Sequence, residues 1–121
     1  MRTGWLAAGT DFCCVAAFVI IGRAAHTHGE APSGIASTAW PFLTGLAAGW
    51  LVTRAWRRPA ALAPAGVGAW LGAAGLGMVL RVLAGQGTAV AFVLVALAFL
   101  GLFLLGWRLA AGLYLRYARR A

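Results

Sequence analysis

Of the 121 residues, 63% are hydrophobic and only 10% are charged, ten Arg against Asp11 and Glu30, for a formal net charge of +8. A soluble domain carries about 25% charged residues and must cover a large surface at this size, while a disordered chain is polar and charge-rich. Both classes are excluded, and an integral membrane protein remains. The positive charge does not point to nucleic acid, because the Arg residues punctuate long apolar runs instead of alternating with recognition residues.

A helix needs about 20 apolar residues to cross about 30 Å of hydrocarbon, and four segments qualify. The first, residues 5–25, has Asp11 inside its apolar run, which a cleaved signal peptide avoids. Its adjacent Cys13 and Cys14 do not easily bridge each other and read as small apolar residues. The second, residues 37–53, is short, with Pro41 expected in its first turn, where a missing amide costs least. The third, residues 64–84, is mostly Gly and Ala. The fourth, residues 88–109, is the most apolar and is followed by a short basic tail, residues 110–121. The connections are short, so consecutive helices should be antiparallel neighbours. The expected fold is a single all-α, integral membrane four-helix bundle.

Orientation follows from Arg placement. Arg2, the middle-loop Arg54, Arg57 and Arg58, and the tail Arg116, Arg119 and Arg120 fall on one side; Arg23 and Arg81 end the outward helices on the other. The positive-inside rule then places both termini in the cytoplasm and the protein in a bacterial inner membrane. Trp5, Trp50, Trp56, Trp70, Trp107, Tyr114 and Tyr117 fit an aromatic belt at the inner interface, and Trp40 marks the outer one.

Helices in a bilayer associate by close packing of small residues. Gly45 and Gly49 form such a pair on the second helix, and Gly68 and Gly72 on the third. They serve either packing within one subunit or the seam of a homo-oligomer. A faint internal echo, with Thr38-Ala-Trp-Pro-Phe against Thr88-Ala-Val-Ala-Phe and Gly-Trp at both Gly49–Trp50 and Gly106–Trp107, suggests two helical hairpins related by duplication.

Asp11 is the only acid within a span and should be paired, protonated or facing water. At 1.5 Å per residue it lies about 9 Å beyond Trp5, similar in depth to Arg108 on the fourth helix; Arg23 is about 18 Å away along its own helix. Arg108 is therefore the favoured partner, ahead of Arg54 and Arg57. An outer layer gathers Arg23, Arg81, His26, Thr38 and Thr88, with His28 and Glu30 nearby. Its arginines either complement helix C-termini and snorkel to the headgroups or face an anion. His26 and His28 do not make a metal set, and no catalytic carboxylate pair, nucleophile elbow or phosphate loop is present. No metal, cofactor or enzymatic activity is expected.

The ordered series of Asp11, residues 22–29 (GRAAHTHG), 38–50 (TAWPFLTGLAAGW), 76–81 (LGMVLR), 87–96 (GTAVAFVLVA) and 106–108 (GWR) resembles a family of small four-helix membrane proteins from high-GC bacteria, catalogued as domain of unknown function 3054. The resemblance implies membrane location and four helices, and no mechanism. Two functions are expected from the residues. The first is an oligomeric channel or carrier for a small solute or ion, its path lined by Asp11, Arg108 and the outer arginines, since polar residues inside spans usually mark function. The second is an accessory or lipid-associated subunit of a larger membrane complex, without transport of its own. The partners are the bilayer and either a second copy or another membrane protein.

Overall fold

The computed structural model describes residues 2–25, 32–86 and 90–120. Among them are four long helices, α1 (Arg2–Ala25), α2 (Pro32–Thr53), α3 (Leu62–Leu83) and α4 (Val90–Arg120), with a short 3-10 turn at Ala55–Arg57. All four are long and apolar enough to cross a membrane. Leu6, Ile21, Val52, Leu83, Val90 and Leu102 are exposed across the four helices. An apolar coat on this scale suits lipid and not water, so the chain is a four-helix integral membrane protein. Helix α1 packs on α2, α2 on α3, α3 on α4, and α4 back on α1.

Helix α2 begins at Pro32 and not near residue 37. Proline suits a helix start, and Ser33 and Gly34 are absorbed into the helix. Pro41 consequently lies inside α2 and not in its first turn. It has no N–H to give the Ser37 carbonyl four residues back. Gln86 supplies the missing donor, its Nε2 donating to the Ser37 carbonyl at 3.0 Å. The end of α3 puts Gln86 there. Gly85, at φ 76°, donates to the Val82 carbonyl at 3.1 Å, and the Gln86 amide donates to the Arg81 carbonyl at 2.8 Å. That double closure requires a left-handed residue, and glycine adopts it without a Cβ penalty.

Helix α4 does not stop near residue 109. It continues through the expected tail to Arg120, 31 residues in all, about 46 Å at 1.5 Å per residue. Ala110, Ala111, Leu113, Leu115 and Ala118 are good helix formers, and Arg119 and Arg120 complement the C-terminal dipole.

Helix α3 is α-helical at Val67–Leu71 and Gly77–Leu83 and widens into π-type turns at Leu62–Gly66 and Gly72–Leu76. Its buried residues are small: Ala65, Ala69, Ala73 and Ala74. Larger buried side chains come from the other helices: Val15, Phe18 and Val19 of α1, Phe42 and Leu46 of α2, Leu100 and Leu104 of α4. A smooth helix thus packs against bulky ones. Cys14 joins this core, whereas the neighbouring Cys13 is exposed.

Candidate functional site

Asp11 on α1 and Arg108 on α4 are both fully enclosed. Arg108 Nη2 donates to Asp11 Oδ2 at 2.7 Å and Nη1 to Oδ1 at 2.9 Å, a two-pronged ion pair. Two indoles complete the carboxylate's surroundings. Trp50 Nε1 on α2 donates to Oδ2 at 2.8 Å, and Trp107 Nε1 on α4 donates to Oδ1 at 2.8 Å. Each oxygen therefore accepts one guanidinium and one indole N–H, filling its lone-pair sites.

Arg108 makes further bonds of its own. Its Nε donates to the Pro59 carbonyl at 2.8 Å, and Nη1 donates a second bond to the Leu104 carbonyl at 2.9 Å. The guanidinium carbon lies 4.6 Å from the Trp107 ring, within the range of a cation–π contact. Gly66 of α3 makes room for the stem, because a Cβ there would come within 2.8 Å of Arg108 Cδ. One carboxylate thus ties α1 to α2 and α4, and its guanidinium partner reaches the loop between α2 and α3.

Trp50, Trp107 and Pro59 were not legible as parts of this cluster. Trp50 and Trp107 fit the aromatic belt by position, yet their N–H groups turn inward. Trp70 also turns inward, donating to the Leu97 carbonyl of α4 at 3.0 Å, over Gly101, where a Cβ would meet the indole nitrogen at 3.0 Å. Trp5 and Trp56 remain exposed, 79% and 52%, as a belt requires. The available signal was the Gly-Trp echo: Gly49–Trp50 and Gly106–Trp107 carry the two indoles that share Asp11. Arg54 and Arg57 are exposed, and Arg54, at φ 51°, ends α2.

The outer residues divide into two groups. Arg23 Nη1 donates to Thr38 Oγ1 at 2.9 Å, linking α1 to α2, and the guanidinium lies against Gly34, where a Cβ would come within 2.9 Å of its carbon. Arg81 Nη1 donates to Gln86 Oε1 at 2.8 Å. Its guanidinium carbon is 4.6 Å from the Phe92 ring centre and 5.9 Å from that of Phe42. Arg81 is thus joined, through Gln86, to the carbonyl left open by Pro41. His26, His28, Glu30 and Thr88 lie outside the described residues. Between the Arg81 layer and the Asp11 layer, Phe18 packs edge-on to Phe42 at 5.3 Å and against Phe92 and Phe99 at 5.9 and 5.4 Å.

The four packing glycines meet within one chain. A Cβ on Gly45 would collide with the Gly72 carbonyl oxygen and come within 3.0 Å of the Gly77 nitrogen, at the second widened turn of α3. A Cβ on Gly49 would collide with the Gly68 carbonyl. The small faces offered by the sequence as an oligomer seam are therefore occupied by α2 and α3 themselves.

Residues 8–111, which include all of this polar cluster, match the family described as Protein of unknown function (DUF3054). The chain belongs to that family. Comparison with curated proteins and with solved structures finds no match. The family match spans Asp11, Trp50, Trp107 and Arg108 and stops before the last turns of α4.

Proposed function

We propose that the protein is a lipid-associated accessory subunit of the membrane, with no solute path through its own bundle. The observation that carries this reading is the saturation of Asp11. A carboxylate serving a transport path needs a face open to water or substrate, and both oxygens of this one are engaged by Arg108, Trp50 and Trp107. The apolar packing of Phe18, Phe42, Phe92 and Phe99 between the two polar layers supports the same reading. The Arg-rich end, carrying Arg54, Arg57, Arg58 and the last turns of α4, faces the cytoplasm of a bacterial cell by the positive-inside rule. The partners are lipid and a second membrane protein, either its own copy or a different chain.

The rival is the channel or carrier. Purified protein in proteoliposomes decides between them: ion and small-solute flux stays at the level of empty vesicles, and Asp11→Asn does not alter it. Flux above that level, abolished by Asp11→Asn in a variant that still folds, supports the carrier. A reporter after Ala121 and one between Arg58 and Pro64 should both read cytoplasmic, and one near Ser33 extracytoplasmic.

A further inference from the structure

At the Arg-rich end, the loop after α2 and the side of α4 enclose an open groove of about 480 Å³. Arg58 and Leu62 line it from one side of the chain and Leu109, Gly112, Leu113 and Arg116 from α4, with Arg108 also among its lining. Arg108 is already neutralised by Asp11. Arg58 and Arg116 are both exposed, and among the described residues neither side chain has an ion pair or hydrogen bond. With two acids in the whole chain against ten Arg, little internal charge is available to balance them. Beside these cations stand Leu62, Leu109 and Leu113, which are 42%, 50% and 55% exposed. Two cations next to an apolar wall, at the end of membrane-crossing helices, suit an anion that carries hydrocarbon. Guanidinium groups match phosphate oxygens in geometry and charge, and basic residues just outside a span attract anionic lipid.

We infer that this groove holds the phosphate of an anionic phospholipid between Arg58 and Arg116, with the lipid's acyl chains against Leu109 and Leu113. The inference rests on the lipid-associated reading above and names its ligand. The full chain in detergent is titrated with dioleoyl phosphatidylglycerol and, separately, with zwitterionic dioleoyl phosphatidylcholine, and bound lipid is counted by native mass spectrometry. One phosphatidylglycerol binds at least tenfold more tightly than phosphatidylcholine. Arg58→Gln with Arg116→Gln weakens it about 25-fold, the effect of two cations near a membrane surface. Gly112→Phe also weakens it without changing charge, and a Cβ at Gly112 meets nothing within 4 Å, so the added side chain starts from open space beside the groove. Arg119→Gln with Arg120→Gln, beyond the groove on the same helix, has a much smaller effect. Equal losses from the two arginine pairs, or full binding by Gly112→Phe in a variant with unchanged melting, would overturn the groove. Displacement of the lipid by millimolar inorganic phosphate would replace the lipid with free phosphate as the ligand and overturn the assignment. Loss of lipid preference with flux still at background fails this inference alone, whereas flux above background fails the pathless reading however lipid binds.

Discussion

Each oxygen of Asp11 receives one guanidinium and one indole bond, so the indole contribution can be removed without touching the charge. Trp50→Phe and Trp107→Phe keep an aromatic ring and the charge balance, but delete one N–H each together with the second ring of the indole. Hydrogen bonds to charged groups contribute about 1.5–3 kcal/mol, and each variant should lose at least that much stability in detergent melts. Trp5→Phe, on an exposed ring, should change stability by no more than about 0.5 kcal/mol. Equal effects at all three positions would remove the distinction between cluster and belt tryptophans. The same residues show where sequence reading stops. Distance along a helix gives depth, and depth pointed from Asp11 to Arg108. Depth does not give rotation, so a Trp near a helix end fits a headgroup belt as well as an inward hydrogen bond. Pro59 contributes a backbone carbonyl, which leaves no mark on side-chain pattern at all.

The contact between α2 and α3 is made by backbones that touch. Gly45→Ala and Gly72→Ala each place a Cβ against a facing carbonyl and should cost about 1–3 kcal/mol as overpacking. Gly9→Ala and Gly22→Ala meet nothing within 4 Å and should be neutral or gain about 0.5–1 kcal/mol from helix propensity. Urea or heat titration of the four variants separates the two classes, and a neutral Gly45→Ala would contradict the crossing. The spacing of these glycines was legible because small residues four apart share a helix face. Which chain supplied the facing helix was not, since the pattern is the same for a neighbour in one chain or in two.

A second element-scale link joins α2 to α3. Gln86→Leu leaves the Ser37 carbonyl without its side-chain donor, and losing an exposed hydrogen bond of this kind costs about 0.5–1.5 kcal/mol. Pro41→Ala restores a backbone N–H for that carbonyl, so Gln86→Leu should cost less in the Pro41→Ala background. Equal costs in both backgrounds would show that Gln86 acts only through Arg81. This link was hidden from sequence because it depends on where α2 begins. With a start near residue 37, Pro41 falls in the first turn, where a missing amide costs least, and nothing in the pattern points to Gln86.

For the whole molecule, four apolar spans were legible from hydropathy alone, and the bundle follows from their short connections. Its closure is less obvious: α1 must return to α4, and the Asp11–Arg108 pair, with the Trp107 bond to Asp11 beside it, joins them through polar contacts. If the pair is a lock and not part of a path, its members matter only together. The most direct measurement is the unfolding free energy of Asp11→Asn, Arg108→Gln and the double variant in detergent. Removing one partner of a buried pair leaves an uncompensated charge and costs about 3–5 kcal/mol, while removing both costs much less. The lock predicts that loss in each single variant and recovery of more than half of the summed loss in the double. A fully stable Asp11→Asn protein, or single losses that add strictly in the double, would contradict it.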